Sequence, residues 1–168
     1  MAAAVFVTLV ALAGCGGSES SSTETVTVQS GETLSKAEFV EKADAICADW
    51  KPEREALQEQ AEELIGGINA GSDDARAELS ELLSEATENA EQELSEIRQL
   101  SPPPADASTI DSMLSTAGVQ VALTREESDA LRYREFAAFG SVTRRAGAAK
   151  AKASALARSY GLKVCGTE

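Results

Sequence analysis

Histidine is absent from the 168 residues. Its absence removes the commonest general base, the commonest zinc ligand and every Ser-His or Cys-His nucleophile pair. Aromatics are scarce, at 4 % of a chain that is 43 % hydrophobic. A core must then come from Leu, Ile, Val and many alanines, which suits closely packed helices better than a β-sandwich. There is no Gly-rich phosphate loop, no Gly-x-Ser-x-Gly and no Cys-x-x-Cys, so the usual signatures of phosphoryl, acyl and dithiol chemistry are missing. Positive charge is short as well: the net charge is −13. Up to Ser101 there are 21 acidic and 6 basic residues, whereas from Pro102 onward there are 7 acidic and 9 basic. The acidic surplus argues against nucleic acid or an anionic lipid surface as the main partner.

What is present begins with an address. Ala2 to Ala13 is almost wholly apolar. The run is far short of the roughly 20 residues that span a bilayer, so it reads as a signal h-region over residues 1–14. It ends in Leu12-Ala13-Gly14-Cys15, which looks like a lipobox, and Cys15 is the expected site of lipidation (palmitate or a similar acyl chain). No Lys or Arg precedes the run, where a positive n-region belongs, so the true start is expected upstream. Residues 15–33 read as the lipidated cysteine and a flexible, disordered tether, because Gly16 to Gly31 shows no apolar periodicity. The location implied is the extracytoplasmic face of the cell membrane, with the lipid anchor as the membrane contact.

Helical period dominates residues 34–168. Ser35-Lys36-Ala37-Glu38 matches a capping box and starts a first helix. Its stripe is Phe39, Ala43, Ile46/Cys47, Trp50, Leu57, Ala61, Leu64 and Ile68, and Pro52 is expected to kink or split it. Gly66-Gly67 and Asn69-Ala70-Gly71 mark its end. Ser72-Asp73-Asp74 caps a second helix with stripe Ala75, Leu79, Leu82/Leu83, Ala86, Ala90, Leu94, Ile97 and Leu100, stopped by Pro102-Pro103-Pro104. A third, from about Asp106, carries Ile110, Leu114, Ala117, Val121 and Leu131, and its join to the fourth falls between Ser128 and Glu135. The fourth carries Phe136, Phe139, Val142, Ala146, Ala149, Ala153, Leu156 and Tyr160. Gly161 sits where a left-handed C-cap belongs, with Leu162 as its apolar partner. The fold expected is all-α, an antiparallel up-down-up-down bundle. Arg144, Arg145, Lys150, Lys152 and Arg158 on the fourth helix would face acidic neighbours on the first two.

Two cysteines remain once Cys15 carries lipid. In an oxidising compartment the simplest outcome is a Cys47–Cys165 disulfide; the alternative is a pair of free thiols. Leu34-Ser35-Lys36-Ala37-Glu38-Phe39-Val40-Glu41-Lys42-Ala43-Asp44-Ala45-Ile46-Cys47 and Tyr160-Gly161-Leu162-Lys163-Val164-Cys165-Gly166 resemble the two ends of a family of small, uncharacterised actinobacterial-type lipoproteins. The resemblance implies the lipid anchor and the paired cysteines, and no activity.

Other patterns are weaker. Thr25 to Ser35 resembles the opening strand and turn of LysM, a peptidoglycan-binding module, but the chain then runs through Cys47 and Trp50 into acidic helix, and an isolated strand is not stable. Glu78, Glu81, Glu85, Glu88 and Glu96 lie near one side of the second helix and read as a solvated face rather than a cation site. Asp73-Asp74 lacks the calcium-loop spacing. Arg144-Arg145 with Lys150 and Lys152 has no aromatic interleaving, so nucleic acid is not expected. Trp50 and Tyr160 are placed in the core rather than in a pocket. The reading is a non-enzymatic domain, without catalytic residues, metal or cofactor, that binds an envelope protein or a small molecule; the alternative is peptidoglycan attachment through residues 25–35.

Overall fold

The structure, a computed structural model, describes residues 33–167. The expected signal 1–14, the lipidated Cys15 and all of the tether but Thr33 lie outside the described residues. The helices are α1 (Lys36–Asn69), α2 (Asp73–Arg98), α3 (Ala107–Arg132) and α4 (Phe136–Tyr160). They pack in chain order, α1 on α2, α2 on α3 and α3 on α4, as the all-α antiparallel arrangement requires.

The capping box forms: Ser35 Oγ accepts the Glu38 N–H at 3.3 Å, and the Glu38 carboxylate accepts the Ser35 N–H at 2.8 Å. Pro52 removes the N–H that would meet the Ala48 carbonyl, at about 3 kcal/mol in a helix interior. The expected split does not follow, because α1 runs unbroken through Pro52. Arg54 donates to the Cys47 carbonyl at 2.9 Å, and Leu57 packs with Leu79 and Leu82 of α2 just beyond. Gly66-Gly67 does not stop the helix either. A Cβ on Gly67 would lie 2.8 Å from that of Ala75, so this glycine lets α1 approach α2.

Three helices end in the same hydrogen-bonded motif. After α1, Ser72 donates to Gly67 and Gly71 to Ile68, and Ser72 Oγ then accepts from Ala75 to cap α2. After α4, Leu162 donates to Ala157 and Gly161 to Arg158, with Gly161 at φ 117°. After α3, Glu135 donates to Ala130 and Arg134 to Leu131, with Arg134 at φ 60°.

The apolar core falls into separate clusters. Phe39, Ala43, Cys47, Ile110, Leu114 and Tyr160 belong to the largest, at the disulfide end. Leu57, Leu79, Leu82 and Leu131 form another, and Leu123, Val142 and Ala146 a third between α3 and α4. Each fully buried Leu, Ile or Phe contributes about 1.5–3 kcal/mol. Tyr160 is core, its ring 6.0 Å from that of Phe39 and its hydroxyl donating to Asp106 at 2.9 Å. Burial, with the Asp106 carboxylate, pushes that phenol up to about 12. Two stripe assignments are corrected. Trp50 is half-buried, its indole N–H reaching Glu96 at 3.4 Å, and Phe136 is 57 % exposed at the start of α4.

Beside these apolar clusters the α2–α3 seam carries a buried polar patch that the apolar stripes did not include. Ser80 and Ser128 each donate to the other's carbonyl, at 3.0 and 2.7 Å, and Ser84 meets the Ser128 hydroxyl at 2.9 Å. Arg76 is buried and donates to the Leu131 carbonyl at 2.7 Å, meeting the C-terminal end of α3. The expected facing of the basic fourth helix against acidic neighbours on the first two is also corrected. Among the described residues Arg145 pairs with Glu126 of α3, and Arg158 donates to the Gly166 carbonyl. The reason is topological: α4 packs on α3, so Arg145 meets α3 and Arg158 the tail, while Lys150 borders the space towards α1 and α2.

Candidate functional site

The helices do not close into a ring. No Cα of α1 lies within 8 Å of one of α4. The two converge through side chains at one end, where Phe39 meets Tyr160 and Cys47 is bonded to Cys165. Elsewhere a groove runs between them, floored by α2 and α3. Near the disulfide it holds a cavity of about 160 Å³, lined by Leu94, Ile97, Met113, Leu114 and Ala153 with both half-cystines. A second cavity of about 230 Å³ is lined by Leu57, Ala61, Leu82, Leu83 and Ala86. Arg54, Ala90, Gln120, Val121 and Lys150 line both, so the cavities meet at a polar waist. Small residues leave this space: Ala90, Ala117, Ala153 and Ala157 stand where longer side chains would fill it.

The waist carries the charge of the groove. Arg54 of α1 binds Glu93 of α2 at 2.6 Å, with side chains 25 % and 11 % exposed. Burial pushes the Glu93 carboxyl above the usual glutamate range; Arg54 pulls it back down, and nearby Glu96 adds to the upward push. Lys150 of α4 is exposed and has no carboxylate within ion-pair distance among the described residues.

Cys47 and Cys165 are joined, with Cα atoms 5.3 Å apart and a separation of 118 positions in sequence. The tail that carries Cys165 is held a second way. Asp44, one turn before Cys47, accepts the backbone N–H groups of Lys163 at 2.8 Å, Val164 at 2.9 Å and Cys165 at 3.2 Å.

The remaining sequence-singled residues are placed apart from the groove. Glu78, Glu81, Glu85, Glu88 and Glu96 are exposed, and no cluster of three or more metal-ligating side chains occurs among the described residues. Asp73 pairs with Arg76 at 3.4 Å and Arg134 at 2.6 Å. Trp50 and Tyr160 line neither cavity. Of the LysM-like segment, residues 25–32 lie outside the described residues; Leu34 donates its N–H to the Ser101 carbonyl and Ser35 caps α1. No helix among the described residues is long and apolar enough to cross a membrane.

Sequence reasoning missed Arg54, Glu93, Gln120 and Asp44, and it named Lys150 only as one of the basic residues of the fourth helix. Glu93 was detectable, since it lies three positions after Ala90 and four before Ile97, on the apolar face of α2. Arg54, four positions after Trp50 and three before Leu57, and Lys150, four after Ala146 and three before Ala153, share that spacing, but long charged side chains snorkel, so the spacing alone does not mark them. No protein-family model, curated protein or solved structure matches the chain.

Proposed function

We propose that the chain is an exported, lipid-anchored, non-enzymatic binding protein of the cell envelope that holds a small molecule in the groove between α1 and α4. The groove carries this reading: paired apolar cavities meeting at a waist of Arg54, Gln120 and Lys150. Ligand sites are concave and mostly apolar, with a few convergent polar groups, and helix bundles place them between helices. The lipobox ending at Cys15, the resemblance of both chain ends to small lipoproteins and the disulfide support an address outside the cytoplasm.

Two measurements test the reading. Cys15→Ser is expected to move the protein from the membrane fraction to the soluble fraction of cells; retention in the membrane overturns the anchor. Native mass spectrometry of the protein taken from an envelope extract is expected to show a small-molecule adduct that is lost in Ala153→Leu. An unmodified mass in both forms overturns the groove. Retention on purified cell wall that depends on residues 25–35 would favour peptidoglycan attachment instead.

A further inference from the structure

We infer that the groove takes a single-chain amphiphile with a carboxylate head, a fatty acid by chemical class, its head at Lys150 and its tail along the aliphatic floor. This inference rests on the groove being a ligand site and adds the chemistry of the ligand. Neither cavity is lined by an aromatic side chain, so a ring has nothing to stack on. The apolar part of the lining is instead Leu, Ile, Val, Met and Ala with the disulfide, the surface that an alkyl chain fills by dispersion contacts. At about 160 and 230 Å³ the cavities are each smaller than the roughly 300–1,000 Å³ of ordinary small-molecule sites, which selects a slender ligand.

The head group follows from charge. The chain as a whole carries −13, yet among the residues that line the two cavities the cations are Arg54 and Lys150 and the one carboxylate is Glu93. Arg54 already neutralises Glu93, which leaves the ammonium of Lys150 as the uncompensated charge. The amide of Gln120 adds hydrogen-bond donors at the same place. A monoanionic carboxylate matches this set. A neutral head would leave Lys150 uncompensated, and a bulkier dianion would crowd Glu93. The acyl chains expected on Cys15 offer no carboxylate, so the waist fits a free acid better than the chain's own anchor.

The test uses the full chain as the soluble Cys15→Ser form, titrated calorimetrically with monomeric dodecanoate and with dodecanol. Dodecanoate is expected to bind about tenfold more tightly than dodecanol, the margin of one charge-assisted hydrogen bond. Lys150→Gln is expected to abolish that preference and leave dodecanol binding unchanged, whereas Ala153→Leu weakens both. Equal affinities for acid and alcohol, or a preference that survives Lys150→Gln, overturn the proposal. So does binding by the Cys15→Ser form that the acylated chain in vesicles lacks, because the occupant is then the chain's own lipid. If neither probe binds but the envelope adduct is still lost in Ala153→Leu, the fatty-acid assignment falls and the groove reading stands. If there is no adduct either, both fall.

Discussion

The carboxylate of Asp44 accepts the backbone N–H of Cys165 at 3.2 Å, one helical turn before Cys47, the residue to which Cys165 is bonded. The same tail is thus pinned to α1 covalently and by an anion that gathers three successive amides. Hydrogen bonds to a charged group are the stronger kind. Asp44→Ala is expected to cost about 2 kcal/mol with the disulfide intact. Urea unfolding measures the loss, and hydrogen exchange should quicken at residues 163–165 while the amides of α2 stay protected. Uniform quickening would mean that Asp44 does not act on the tail.

The disulfide closes a far longer loop. Joining residues 118 positions apart restricts the unfolded chain by about 4–5 kcal/mol in the loop-entropy model. A Cys47→Ser/Cys165→Ser double variant is expected to lose stability of that order in denaturant titrations. A change below about 1 kcal/mol would show that the Asp44 contacts and the Phe39–Tyr160 packing already close α1 on the tail.

These two pins show how much the sequence disclosed. Cys47 and Cys165 stand out because thiols are rare and the expected export signal implied an oxidising compartment, and Gly161 because its backbone position excludes most side chains. Helix existence was legible from the 3.6-residue period, and both N-caps from Ser35 and Ser72. Asp44 was invisible: one more acid in an acidic helix gains its meaning only when the tail returns from the far end of the chain. The groove was hidden for a related reason. Alanine on a stripe reads as core, and only the spacing of α1 from α4 shows that Ala90 and Ala153 border space.

Arg54 joins the groove to the stability of α1. It holds Glu93 at 2.6 Å and the Cys47 carbonyl at 2.9 Å. Arg54→Met leaves a largely buried carboxylate without its cation, and the expected loss is about 3 kcal/mol. Adding Glu93→Gln should recover most of it, since the uncompensated charge is then gone. Chemical denaturation of the single and double variants decides: equal losses would place the cost in the packing of the arginine stem rather than in the charge.

Glu127 gives the pH dependence a sign. It is 8 % exposed on α3, and burial raises its carboxyl above the ordinary 4.5 despite a hydrogen bond from Thr143. The folded protein therefore binds this proton more tightly than the unfolded chain does. The stability so gained is present at acid pH and lost as pH rises from the glutamate range through the folded value. Glu127→Gln is expected to be more stable than the wild type at neutral pH and to flatten the slope across the mildly acidic range. Denaturation midpoints for both proteins over that range are the measurement, and a wild type that is the more stable at neutral pH would contradict it.

The ends of α3 and α4 form a matched experiment. Both close with the same pair of backbone hydrogen bonds around a left-handed residue, but α4 uses Gly161 at φ 117° and α3 uses Arg134 at φ 60°. Without a glycine to mark it, the α3–α4 join could be placed in the sequence only between Ser128 and Glu135. A side chain in this conformation costs about 1–2 kcal/mol. Arg134→Gly is then expected to stabilise the protein by about 1 kcal/mol. The exposed ion pair to Asp73 that it gives up contributes little. Gly161→Ala is expected to destabilise by about 1–2 kcal/mol, by the same strain with the opposite sign. Urea midpoints of the two variants should therefore move in opposite directions from the wild type, and a shared direction would show that side-chain contacts, not backbone conformation, set the stability of these two turns.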